Sequence, residues 1–414
     1  MKWLDPFILR FGLICCAFVI PASAGDWAEW RGPNRNGHAD PGAKPPTEWS
    51  ESKNVIWKTP VPGRGHSSPS IFGDQIILTS ADDAAQKQSV ISFDRSSGRK
   101  NWETVVLESK LPAKIHKKNT HATPTAATDG EQIFTVFFNG VSVYLTALDM
   151  KGTKRWQIKA GDFHPRYPFG FAASPELYKD TVIVAAEYEK NGYMAAFRKS
   201  DGSEIWRIPR NIGTSYSSPV VATVAGKDQL LISGQGKVSS YNPASGKLFW
   251  QVDGSCAATC GTMVWNEDTV FASGGFPNKE TIAVRADGSG KVLWRNGVQC
   301  YEQSLLYVDG YIYALNDGGI AFCWDAKTGQ EKWKIRLRGP VSSSPIYANG
   351  KIYAVNEQGT CFVFKPDPSG YTEIARNQLG QSGFATPSFV DNRIYIRTAF
   401  NRATREEFLY CIGE

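Results

Sequence analysis

Gly310-Tyr311-Ile312-Tyr313-Ala314-Leu315, followed by Trp324-Asp325-Ala326-Lys327-Thr328-Gly329 and then Trp333, is the stretch that decides the fold. Its first part alternates in the β manner, and its second part is a turn whose glycine lies four residues ahead of a tryptophan. The alternation returns in Gly350-Lys351-Ile352-Tyr353-Ala354-Val355. The glycine–tryptophan spacing returns as Gly98/Trp102, Gly152/Trp156, Gly202/Trp206, Gly246/Trp250 and Gly290/Trp294, whereas Gly370 is followed by Ile374. A small hydroxyl residue, usually followed by proline, marks the other end of each unit: Ser68-Pro69, Thr123-Pro124, Ser174-Pro175, Ser218-Pro219, Thr262, Ser304, Ser344-Pro345 and Thr386-Pro387. These markers define a unit of roughly forty to fifty residues that recurs from residue 53 to the end.

Nothing between the markers has a helical period over a useful length. Several short strands per unit, separated by Asp-Gly, Asn-Gly or Ser-Gly turns and repeated eight times, specify an all-β protein: an eight-bladed β-propeller of four-stranded antiparallel blades. Proline cannot donate to a ladder, so the Ser/Thr-Pro strand must be an edge, the innermost strand facing the central channel. The tryptophan strand then falls outermost, which makes Trp57, Trp102, Trp156, Trp206, Trp250, Trp294 and Trp333 structural. A fully buried indole covers about 150–250 Å², an upper estimate of roughly 4–6 kcal/mol per blade interface. The eighth unit has only three strands, ending in Phe408-Leu409-Tyr410-Cys411-Ile412, and the missing outer strand is Asn54-Val55-Ile56-Trp57-Lys58 at the front. The N- and C-terminal strands therefore pair in one blade, which leaves no open sheet edge.

Ahead of the repeats, residues 1–24 read as a cleaved export signal. Lys2 and Arg10 flank the start, Phe11 to Ile20 is apolar, and Ala22-Ser23-Ala24 supplies small residues before Gly25. The apolar stretch is too short to span a bilayer, so no transmembrane segment is expected. An exported protein, periplasmic or extracellular, is expected. Residues 25–52 form an extension that contains Trp30-Arg31-Gly32-Pro33-Asn34-Arg35-Asn36-Gly37. Without residues 1–24 the chain carries 44 basic and 39 acidic side chains, a net charge of +5. That mild excess, with its one dense basic run at Lys114-Ile115-His116-Lys117-Lys118, gives no reason to expect nucleic acid as a partner.

These units resemble the pyrroloquinoline quinone (PQQ)-type repeat, Ala-x-Asp-x-x-Thr-Gly-x-x-x-Trp. Residues 324–329 with Trp333, and Ser92-Phe93-Asp94-Arg95-Ser96-Ser97-Gly98 with Trp102, match it closely. The resemblance covers residues 53–414, and Trp30 to Gly37 looks like the leader of many exported proteins with this repeat. Eight-bladed relatives include quinoprotein alcohol dehydrogenases and BamB, a subunit of the machinery that assembles outer-membrane β-barrels. The dehydrogenases resemble one another in a ring of adjacent cysteines, a tryptophan floor and oxygen ligands for calcium. Here the only adjacent cysteines are Cys15 and Cys16, inside the signal. The resemblance therefore implies a non-catalytic, BamB-like binding or scaffolding propeller acting on a protein or envelope polymer, with no cofactor. The alternative is a quinone- or metal-dependent oxidoreductase that uses PQQ with calcium in the channel.

Side chains alternate along a strand, so the residue two before each hydroxyl marker points with it. That register yields His66, His121, Ala172, Tyr216, Cys260, Glu302, Ser342 and Phe384. Of these, His66, His121, Tyr216, Cys260 and Glu302 are candidate channel ligands, set against a plain solvated lining. No residue is assigned a catalytic role and no metal site is expected. The six cysteines beyond the signal, Cys256, Cys260, Cys300, Cys323, Cys361 and Cys411, leave their pairing open, with Cys260–Cys300 and Cys256–Cys300 both compatible with neighbouring inner strands. Two loops read as a recognition rim: residues 111–121, with His116, Lys117 and Lys118, and residues 162–171, with His164, Arg166, Tyr167 and Phe169. Packing over the channel mouth is the competing reading, and a monomer is expected.

Overall fold

Runs such as Ile76–Leu78 and Val90–Ile91 are buried on both faces, which a strand achieves only when sheets are stacked against it on either side. Each repeat supplies two such central strands, one short inner strand and one largely exposed outer strand, which in Val55–Val61 alternates between half-buried and exposed. In this computed structural model, which describes residues 25–108 and 110–414, the strands form eight four-stranded antiparallel sheets. The expected signal lies outside the described residues. Blades 1 to 7 span residues 70–108, 127–162, 176–209, 220–253, 264–296, 306–336 and 346–378. Blade 8 combines residues 388–412 with the front strand Val55–Val61, in the order front strand, Arg405–Ile412, Arg393–Asn401, Ser388–Val390. Trp57 pairs with Cys411 in that closure. No helix among the described residues is long and apolar enough to cross a membrane.

The core is a series of layers between blades rather than one central mass. Ile77, Val90 and Phe137 belong to the layer joining blades 1 and 2, and Val264, Ile312 and Trp324 to the layer joining 5 and 6. The layer around the closing blade is different: it merges blades 7, 8 and 1 and takes in Trp27, Ala39, Ala43 and Trp49 from the extension.

The tryptophan girdle has a repeated geometry. The indole of one blade lies on the glycine turn of the next, where an added Cβ would stand 2.5 Å from Trp57 at Gly98, 2.6 Å from Trp102 at Gly152 and 2.6 Å from Trp294 at Gly329. Its Nε1 donates into the same turn, from Trp102 to Met150 O (3.1 Å), Trp156 to Lys199 O (2.8 Å) and Trp294 to Ala326 O (2.8 Å). Trp250 departs from the pattern and donates to Gln229 Oε1. Only Trp206, Trp250 and Trp294 are buried; the others are half-buried, so the full-indole energy above overstates most interfaces.

Candidate functional site

At the axis, inner strands have no neighbour on one side, and their backbone N–H groups need acceptors. The hydroxyl markers provide them. Ser68 N donates to Thr125 Oγ1 (3.0 Å), Thr125 N to Ser174 Oγ (3.0 Å), Ser174 N to Ser218 Oγ (2.9 Å), Thr262 N to Ser304 Oγ (3.0 Å), Ser304 N to Ser344 Oγ (2.9 Å) and Ser344 N to Thr386 Oγ1 (2.9 Å). The belt ties blade to blade and fixes the rotation of each inner strand.

The belt also corrects one expectation. In blade 2 the belt residue is Thr125, not Thr123, so the position two before it is Thr123 and not His121. Thr123 Oγ1 instead contacts Thr120 Oγ1, at 3.0 Å. Thr123 joins His66, Ala172, Tyr216, Cys260, Glu302, Ser342 and Phe384 around one axial cavity of about 250 Å³. His121 lies outside it, 3.9 Å from Asp83 Oδ1 in a neighbouring groove. The sequence holds two threonines at the right spacing, and the proline after the first selects the wrong one.

The floor of the cavity comes from the extension. Trp30 lines it and donates from Nε1 to Thr262 Oγ1 at 2.9 Å. Its neighbours pin the segment across the inner strands: Arg31 Nη2 donates to Leu305 O, Arg35 Nε lies 2.9 Å from Glu176 Oε1, and His38 Nε2 meets Tyr307 O at 2.7 Å. Backbone bonds join Trp27 to Ile71 and Thr128 to Ala28. Sequence reading treated residues 30–37 as a leader and missed this role, because irregular backbone has no period to betray its contacts.

Over the opposite mouth the two basic and aromatic loops meet. Asn119 Nδ2 donates to Phe169 O at 2.7 Å, and the His116 ring meets Phe169 edge-on at 5.3 Å. Tyr167 stacks on Phe169 at 5.3 Å and meets Phe276 at 5.5 Å. His164 and Arg166 are exposed, Arg166 lying over the Tyr167 ring at 5.5 Å. Lys118 reaches from blade 2's approach to blade 7 and pairs with Glu357 at 2.6 Å, where Ser342 Oγ also donates at 2.7 Å. Lys117 remains exposed.

Inside the cavity burial disfavours the charged forms of His66, Cys260, Glu302 and Tyr216. Burial, then the charges of Arg64, Arg405 and Arg397, hold the His66 imidazole far below its usual range; its ring stacks on Phe384 at 4.5 Å and 4°, and Nε2 has no hydrogen-bond partner. Burial pushes the Cys260 thiol well up, helped by Glu302, and burial also raises the Glu302 carboxyl and the Tyr216 phenol. Burial opposes the charge on Lys118, but its bond to Glu357 outweighs that and raises its pKa. All six described cysteines are free thiols. A protonated thiol and an imidazole with no hydrogen bond between them do not make an activated nucleophile.

Calcium-bound PQQ asks for several oxygen ligands converging on one ion. Here Glu357 is engaged by Lys118 and Ser342, and burial favours the neutral form of Glu302. Among the described residues, no group of three or more His, Cys, Asp or Glu is placed to hold a metal ion.

No curated protein matches the sequence. Among solved structures, BamB from Moraxella catarrhalis is 14% identical over 86% of this chain and 99% of its own, with a TM-score of 0.62. A europium-containing methanol dehydrogenase is 12% identical over 94% of this chain and 98% of its own, with a TM-score of 0.70. Quinohemoprotein alcohol dehydrogenase ADHIIG from Pseudomonas putida HK5 is 11% identical over 94% of this chain and 80% of its own, with a TM-score of 0.67. At such identities the likeness carries the fold alone. The family profile described as outer membrane protein assembly factor BamB matches residues 47–164, 166–276 and 278–369, well over half of the sequence. The chain therefore belongs to the PQQ-type repeat family that this description names.

Proposed function

We propose that this protein is an exported, non-catalytic binding or scaffolding propeller that engages a protein or an envelope polymer through the rim opposite Trp30. One observation carries the reading: loops 111–121 and 162–171, from different blades, converge on that single mouth and hold each other through Asn119, His116 and Phe169. Recognition surfaces favour such aromatic side chains with arginine at their edge. The hydroxyl-rich cavity beneath lends itself to receiving a group rather than transforming it. The family description, with a solved BamB among the similar folds, supports a protein partner.

A photo-crosslinking residue placed at Arg166 should give a discrete adduct in an envelope extract, and the same residue at Ile335 on the outer face of blade 6 should not. Equal labelling at both positions, or none at Arg166, would remove the reading. Retention of a quinone absorbance band and calcium after incubation with both and desalting would replace it with the oxidoreductase alternative.

A further inference from the structure

Several buried and half-buried cations of this protein are answered by carboxylates: Arg210 by Glu187, Arg397 by Glu407, Lys118 by Glu357. A cluster of cations at the rim is not. Beside the cavity mouth runs a groove of about 700 Å³ lined by Arg64, Lys114, Ile115, His116, Lys117, His121, Pro168 and Phe169, with Asp83 the only acid among the described residues that line it. Among the described residues, no carboxylate stands within ion-pair distance of Arg64, Lys114, Lys117 or the nearby Arg166, and Asp83 lies 3.9 Å from His121 Nε2, whose pKa burial lowers. Lys114, Lys117 and Arg166 are exposed, and Arg64 keeps a buried Nε with no hydrogen-bond partner while its Nη2 reaches Lys117 O at 3.4 Å. Unanswered cations set along one concave wall attract anions and steer their approach.

The apolar side of the groove narrows the class of anion. Glycans and single-stranded nucleic acids lean on open ring faces. The rings here are occupied by one another: Phe169 by Tyr167, His116 and Tyr216, and Tyr167 by Phe169, Phe276 and Arg166. What remains toward the groove is aliphatic and ring-edge surface from Ile115, Pro168 and Phe169, the kind that takes an aliphatic side chain. We propose that this groove docks an acidic segment of a partner protein, with carboxylates on Lys114, Lys117 and Arg64 and an apolar side chain against Ile115 and Pro168. The proposal rests on the rim reading and names the partner chemistry for it.

The test is fluorescence anisotropy with a labelled peptide of alternating glutamate and leucine, about twelve residues long, at about 20 mM and about 200 mM salt. Binding should weaken on the order of tenfold at the higher salt, and Lys114→Glu with Lys117→Glu should weaken it by at least about tenfold. Ile115→Ser should weaken binding without changing its salt dependence. Lys332→Glu with Lys334→Glu, on the outer strand of blade 6, should leave it unchanged. The proposal is overturned if the peptide fails to bind at low salt, if the groove variants bind it normally, or if oligogalacturonate or a thymidine oligomer of equal charge binds as well. Rim crosslinking that persists while the peptide is ignored would refute the acidic segment and leave the rim reading standing.

Discussion

Gly329 shows how much one missing side chain decides. Its φ of +73° is left-handed, and a Cβ there would stand 2.6 Å from the Trp294 indole. Gly370, in the one repeat without a following tryptophan, has open space around the same position. Gly329→Ala should therefore destabilise the protein by about 2–4 kcal/mol, from backbone strain and overpacking together. Gly370→Ala, at a position whose φ is not left-handed, should stay within about 0.5 kcal/mol, and urea unfolding of the pair reads backbone strain and indole contact together. His66 adds a pH signature. Its imidazole sits well below the ordinary 6.5, so the unfolded chain takes up a proton that the folded chain refuses. That contribution is complete above 6.5 and is lost as pH falls below it, by up to about 1.4 kcal/mol per pH unit. His66→Phe preserves a ring against Phe384 and removes the titration, so its urea midpoint should fall less steeply with acidification than that of the parent. The glycine–tryptophan spacing was fully legible in the sequence because it repeats. The place of His121 was not: Thr123 and Thr125 differ only in which backbone N–H each meets, and that depends on a neighbouring blade.

Among the elements, the closing blade carries a buried ion pair across the seam. Arg397 on the Arg393–Asn401 strand pairs with Glu407 at 2.6 Å, both almost fully buried, and reaches into blade 1 at Thr79 O (2.6 Å) and Ser67 Oγ (3.2 Å). Gly65 N donates back to Glu407 Oε2. One ion pair thus joins the last repeat to the first across the seam. Arg397→Met alone leaves the buried Glu407 with Arg405, 3.0 Å away, as its remaining cation, and should cost less than the about 3–5 kcal/mol of a wholly unanswered buried charge, whereas Arg397→Met with Glu407→Leu should recover part of that loss. A double-mutant cycle by chemical unfolding measures the coupling, and strict additivity would contradict the pairing. The seam itself was readable beforehand, since a three-stranded last repeat and a stray Trp57 strand at the front demand each other. The ion pair was not, because arginine and glutamate on adjacent strands of a polar surface look the same in sequence as a buried pair.

For the molecule as a whole, the extension does more than precede the propeller. Trp27 and Trp49 sit in the layer that unites blades 7, 8 and 1, and Trp49 N is bound to Asn377 Oδ1 at 2.9 Å. Removing residues 25–52 should raise amide exchange in the inner strands Ile346–Ala348, Ser388–Val390 and Ser70–Phe72 and leave Val220–Val224 of blade 4 near its original protection, as hydrogen exchange with mass spectrometry would read. Uniform loosening of all eight blades would show that the extension acts globally instead. Composition and charge said nothing of this, since a segment without strand or helix announces neither its path nor its contacts.

Trp30 across the axis has a last implication. With one end stoppered, the central space is a cup and not a tunnel: whatever enters must turn back by the way it came. A long polymer cannot be threaded through the ring; only a chain end, a bent loop or a single projecting group can dip in, past the Lys118–Glu357 pair at the open mouth.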